Sequence, residues 1–261
     1  MVEIAVKKTM LNQQRRRRLE VFKRELRALS RIPKHPGIVQ ILGFGKDPMD
    51  EFVFILLEKC NGGSGWDWVQ NVFSTFTTFP LDILLSLSIL AEGCSLMSTS
   101  GILHRDLTLD NILIHTITST DAKSPHEPQF LMKLCDFGVS GTPADFKEVP
   151  RGKMRNYAPE AIGEGSDRYE YTEGSDVYMF GTMLWEMIHN KLIWSECNTM
   201  TANKRVVGGE VAQVDETVRE RVPQGLIEVM YECMRYQAEE RPTFKEVSEK
   251  LRTLHQTLTQ A

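Results

Sequence analysis

The stretch Asn61-Gly62-Gly63-Ser64-Gly65 constrains the fold most, because three glycines in five positions discourage any helix or strand from running through it. The periodicity differs on its two sides. Before it, residues 2–7 alternate like a strand, and residues 19–32 place Leu19, Phe22, Leu26 and Leu29 at helical spacing between charges. Pro33 and Pro36 end that helix, and residues 38–44 and 52–57 read as strands around a turn at 45–50. After it, helical patterns dominate, at 66–73, 81–98, 174–188, 223–235 and 243–258. Two short β-like runs, 111–115 and 131–135, interrupt them. The polar, Ser/Thr/Pro-rich 116–130 is expected to be an exposed insertion in a hairpin. Residues 61–65 are predicted to form a flexible boundary, and no repeat is visible.

A chain of 261 residues can bury the core of one large domain or of two lobes. Its formal charge of −4 gives no reason to expect a nucleic-acid partner. The basic run at 15–18 reads as a solvated loop or helix start. Five widely spaced cysteines without a C-x-x-C pair argue against a disulfide framework or a zinc site, and point to a reducing, cytoplasmic setting. The first residues are charged and mixed, unlike a cleavable signal. The most apolar stretch, 81–97, contains Asp82, Ser86, Ser88 and Glu92. It is too short and polar for a bilayer, so a buried helix and no membrane segment are expected.

The chemistry sits in three ordered motifs. His104-Arg105-Asp106-Leu107-Thr108-Leu109-Asp110-Asn111 follows a long helix, Asp136-Phe137-Gly138 follows the second short strand, and Ala158-Pro159-Glu160 comes later. Two aspartates and an asparagine are thereby placed on loops at strand ends. Phosphoryl transfer needs that set: oxygen ligands for Mg²⁺ and a carboxylate to receive a hydroxyl proton.

These motifs resemble the eukaryotic protein kinase family. The resemblance covers nearly the whole chain and, through Leu184-Trp185-Glu186-Met187, is nearest to its tyrosine-kinase-like branch. It implies an α+β fold with two lobes: a small antiparallel-sheet lobe over 1–60, and a mainly α-helical lobe over 61–261. It implies ATP and Mg²⁺ as cofactors, and transfer of the γ-phosphoryl group to a hydroxyl of a protein substrate, serine or threonine. In this likeness Asp106 is the base, Asn111 and Asp136 hold Mg²⁺, and Lys7 holds the α- and β-phosphates while Glu25 pairs with it. Leu57, Glu58 and Cys60 lie in the adenine hinge, with Leu57 as gatekeeper; Ala5 and Leu113 sandwich the purine. Asp176 anchors the catalytic loop, and Arg241 pairs with Glu160.

The sequence departs from the family in three places. No glycine-rich loop precedes Lys7, which is expected to reflect truncation and to weaken ATP binding. Thr108 replaces the usual lysine or alanine, and Gly152-Lys153 replaces the usual Gly-Thr. One reading exchanges the two roles, so that Lys153 supplies a cation and Thr108 a hydroxyl; the other leaves Lys153 in solvent. The middle of the segment between Asp136 and Glu160 offers only Ser140 and Thr142 as phosphoacceptors, both close to Asp136-Phe137-Gly138. Glu148 is expected to pair with Arg105 instead, so activity should not need loop phosphorylation. Two alternatives stand beside the kinase: a pseudokinase acting as a binding or scaffold module, and a small-molecule phosphotransferase.

Overall fold

The computed structural model describes residues 3–11, 14–49, 51–117, 128–142, 154–162 and 171–260. The small lobe is a three-stranded antiparallel sheet of β1 (Ile4–Met10), β2 (Ile41–Lys46) and β3 (Phe52–Glu58), in the order β1-β3-β2. The register pairs Ala5 with Leu57 and Lys7 with Ile55. Strand β1 runs three residues past Lys7, further than its short apolar run suggested. Strand β2 begins at Ile41 rather than 38, because Ile38 bridges to Leu134 in the large lobe.

Helix α1 (Arg15–Arg31) lies against this sheet and turns Phe22, Glu25, Ala28 and Leu29 inward. It takes in the arginine run at 15–18 as its first turn, where cations oppose the helix dipole. Gln14 ahead of it has a left-handed φ of 69° and makes no capping side-chain bond. Periodicity could not reveal this turn because it buries nothing.

The large lobe is built on α2 (Gly65–Asn71), α3 (Asp82–Thr99), α4 (Pro159–Ile162), α5 (Glu173–His189), α6 (Thr199–Val207), α7 (Glu216–Arg219), α8 (Gln224–Cys233) and α9 (Phe244–Gln260). Helix α3 is long and apolar enough by composition to cross a bilayer. Its inward positions are instead buried against α9 and the hairpin strand β5 (Phe130–Leu134). Its buried serines are satisfied: Ser86 Oγ accepts from the Met132 N–H at 2.8 Å, and Ser88 Oγ donates to the Leu85 carbonyl at 2.8 Å. Strand β4 (Ile112–Thr116) pairs antiparallel with β5, closing at Thr116 opposite Phe130. Of the expected insertion, residues 118–127 lie outside the described residues.

The glycine stretch proves to be an ordered helix start. Ser64 caps α2, its Oγ accepting from the Asp67 N–H at 3.1 Å. A Cβ on Gly65 would meet the Leu109 carbonyl at 2.9 Å. The glycines answer close packing and one positive φ, at Gly63 (78°), rather than a need for flexibility. The lobes are also tied elsewhere: the Val39 N–H donates to the Leu134 carbonyl at 2.9 Å and the Leu134 N–H to the Gly37 carbonyl at 2.8 Å.

Candidate active site

Lys7 projects from β1 toward α1. Its Nζ donates to Glu25 Oε1 at 2.8 Å and to Asp136 Oδ1 at 2.8 Å. Three residues far apart in sequence thus form one charged chain between the lobes. Burial pulls the Lys7 pKa down, but Glu25 and Asp136 outweigh it and leave it raised. Burial likewise pushes Glu25 up, against the pull of Lys7. For Asp136 burial is overcome by the Lys7 hydrogen bond and charge, helped by the Gly138 N–H, and its carboxyl is held low. Lys7 and Asp136 are both shifted toward their charged forms.

Asp136 has a left-handed φ of 57° and Arg105 one of 69°. For residues bearing a Cβ this costs about 1–3 kcal/mol each, and it persists only where surrounding bonds dictate it. Asp176, fully buried on α5, supplies such bonds. Its Oδ2 accepts from the His104 N–H at 2.7 Å, and its Oδ1 accepts from the Arg105 N–H at 2.8 Å and the Tyr171 hydroxyl at 2.6 Å. At Asp136, the Gly138 N–H donates to Oδ1 at 3.2 Å and the Cys135 N–H donates to the Asn111 carbonyl at 2.9 Å. His104 links the two loops, its Nε2 lying 3.1 Å from the Cys135 carbonyl and its ring standing edge-on to the buried Phe137.

Asn111 Nδ2 donates to the Asp106 carbonyl at 2.7 Å and to Asp106 Oδ2 at 2.9 Å. Both amide hydrogens are therefore spent on Asp106, which leaves Asn111 Oδ1 as a hard acceptor. A cavity of about 710 Å³ opens beside this pair, lined also by Arg105, Thr108, Trp66 and Tyr157. Among the described residues no cluster of three or more acidic, histidine or cysteine side chains could hold a metal alone.

The remaining expected positions fall on, or just after, strands β1, β3 and β4. Ala5 is half-buried opposite the buried Leu57, and Leu113 sits on β4, bridged to Ser64. Glu58 differs from the expectation in part. Its N–H donates to the Gln40 carbonyl at 2.9 Å, and its carboxylate turns away to Lys133 at 3.0 Å and to the Gln40 N–H at 2.8 Å. Burial pushes the Cys60 thiol up to about 11 and the Cys135 thiol up to about 12, so neither is a thiolate at neutral pH. Glu160 and Arg241 meet as expected in a two-pronged pair, at 2.7 and 2.9 Å. Lys153 and Glu148 lie outside the described residues. Sequence reasoning missed Tyr171, which sits outside any motif although its partner Asp176 is five residues on, and Lys133, whose partner Glu58 is 75 residues away.

A two-lobed fold with a Lys–Glu–Asp chain and an Asp–Asn pair has the frame of the protein kinase class. Residues 1–251 match the model of the protein tyrosine and serine/threonine kinase family, and the chain belongs to that family. Similar proteins include the "Probable serine/threonine-protein kinase pats1" of Dictyostelium discoideum, 29% identical over 88% of this chain and 7% of its own length. A Raf homolog serine/threonine-protein kinase of Caenorhabditis elegans is 26% identical over 96% of this chain and 30% of its own length. Human serine/threonine-protein kinase A-Raf is 25% identical, over 98% and 40%. The chain thus spans well under two thirds of the length of these relatives.

Proposed function

We propose that this chain is the catalytic domain of a serine/threonine protein kinase that uses Mg²⁺ and ATP. The observation that carries the reading is the convergence of Lys7, Glu25 and Asp136 on one charged chain, close to a Asp106–Asn111 pair at the mouth of a cavity. Lys7, held by Glu25, would bind the α- and β-phosphates. Asn111 Oδ1 and the Asp136 carboxylate would hold Mg²⁺. Ala5, Leu57 and Leu113 would enclose the purine, with the backbone of Glu58 and Cys60 at its edge. Mg²⁺–ATP, when bound, supplies the phosphoryl group and neutralises its charge. Asp106 receives the proton of the incoming hydroxyl, its carboxylate aimed by Asn111 Nδ2. The names of the relatives support a serine or threonine acceptor.

Thermal unfolding with and without Mg²⁺–ATP, followed by phosphate transfer to a general protein substrate, tests the reading. Wild type should be stabilised by Mg²⁺–ATP and transfer phosphate. Asp106→Asn should keep the stabilisation and lose transfer by about 10²–10⁴-fold. A wild type that ignores Mg²⁺–ATP would instead be a binding or scaffold module. Lys153→Ala beside Lys153→Arg tests the exchanged Lys153–Thr108 pair; equal turnover in both and in wild type would take Lys153 out of the chemistry.

A further inference from the structure

The outer face of α1 has no part in the cleft, yet it carries the densest charge in the chain. The helix holds eight basic residues and two acidic ones, a net of +6. The whole chain has a formal charge of −4, so everything outside α1 sums to −10. Of the two acids, Glu25 is turned inward to Lys7. The other, Glu20, is exposed and pairs with Lys23 at 3.0 Å. Arg16, Lys23, Arg27 and Arg31 are all exposed and recur at intervals of seven, four and four, which places them on one face. Glu20 reports their closeness: Lys23 first, then Arg27 and Arg16, hold its carboxyl below the usual range.

We propose that this face is a docking surface for an acidic polypeptide segment. From Arg16 to Arg31 the strip runs ~22 Å at 1.5 Å per residue, which an extended segment of about seven residues would cover. Its shape selects the partner. A row of cations one side chain wide matches a thin segment rich in Asp and Glu, which can follow it along its length, better than the broad face of a membrane or a nucleic-acid duplex. Docking also relieves the repulsion among arginines gathered at the positive end of the helix dipole.

The test is fluorescence anisotropy of a labelled twelve-residue Asp/Glu peptide with the full chain, beside an Asn/Gln peptide of the same length. The acidic peptide should bind, and binding should weaken as salt rises from about 50 to 200 mM. The variant Arg16→Gln/Lys23→Gln/Arg27→Gln should lose at least about tenfold in affinity. Lys204→Gln/Arg221→Gln/Lys245→Gln, which removes the same charge from the large lobe, should stay within about twofold. Equal loss in both variants, or none in the first, overturns the proposal. So does binding of phosphatidylserine vesicles or duplex DNA without binding of the peptide. Hydrogen exchange in wild type gives a second readout: the peptide should protect amides of α1, and protection elsewhere alone refutes the assignment.

Discussion

The carboxylate of Glu58, at the end of β3, takes two hydrogen bonds from the buried ammonium of Lys133 on β5, at 3.0 and 3.2 Å, and so ties the sheet of one lobe to the hairpin of the other. The two partners are unequally exposed: the Lys133 side chain is 5% accessible and that of Glu58 22%. Removing Glu58 strands a buried cation, whereas removing Lys133 leaves a wetter carboxylate still bonded to the Gln40 N–H. Glu58→Gln should therefore cost about 3–5 kcal/mol, and Lys133→Met about 2 or less. Urea unfolding of both variants checks this, and the reverse order would contradict it.

Asp176 and Tyr171 give a second prediction. In Asp176→Asn one oxygen becomes an NH₂ group that cannot accept from the N–H of either His104 or Arg105, so about 1–3 kcal/mol should be lost. Tyr171→Phe removes one hydroxyl donor to the same carboxylate and should cost about 1 kcal/mol. Amide exchange should quicken at residues 104 and 105 in the first variant more than in the second. If both backbone amides stay as protected as in wild type, Asp176 does not hold the loop.

What could be read beforehand was what is local or motif-bound. Helix α3 could be placed within a residue because its apolar pattern is strong, and Lys7, Glu25, Asp106, Asn111 and Asp136 stand in ordered motifs. Helix α6 went unread because only Ala202 and Val206 of its nine residues are buried, too few to make a period. The Gly62–Gly65 stretch looked flexible because close packing against Leu109 and Ile114 depends on partners some fifty residues away. The tie from Lys133 to Glu58 could not be read, since nothing nearby in sequence names Glu58 as its partner.

Arg241 spends all five of its N–H donors. Nε donates to the Arg235 carbonyl, Nη1 to Glu160 Oε1 and the Gly174 carbonyl, and Nη2 to Glu160 Oε2 and the Tyr236 carbonyl, all at 2.7 to 2.9 Å. Lysine keeps the charge but has three donors on one atom, so Arg241→Lys leaves at least two acceptors bare. It should destabilise by about 2–4 kcal/mol, nearly as much as Glu160→Gln, which leaves the cation unpaired. Guanidinium unfolding measures both. A neutral Arg241→Lys would mean that charge alone holds the segment around Glu160.

Glu186, on α5 at the wall of the cavity, supplies a pH dependence. Burial pushes its carboxyl up to about 7, although Asn156 Nδ2 and the Ile193 N–H both donate to its Oε1, at 3.1 and 3.2 Å. The folded state thus keeps a proton that the unfolded chain gives up near the ordinary glutamate value of 4.5. Between those values the folded state binds more protons, so this group's contribution to stability falls as pH rises from about 4.5 to about 7, and levels off above. The full loss is on the order of 3 kcal/mol. Glu186→Gln keeps an oxygen for both donors and cannot ionise. Relative to wild type, it should gain stability progressively across that window, read as the difference between two unfolding series at stepped pH. A constant difference across the range would show that Glu186 has the same proton affinity folded and unfolded.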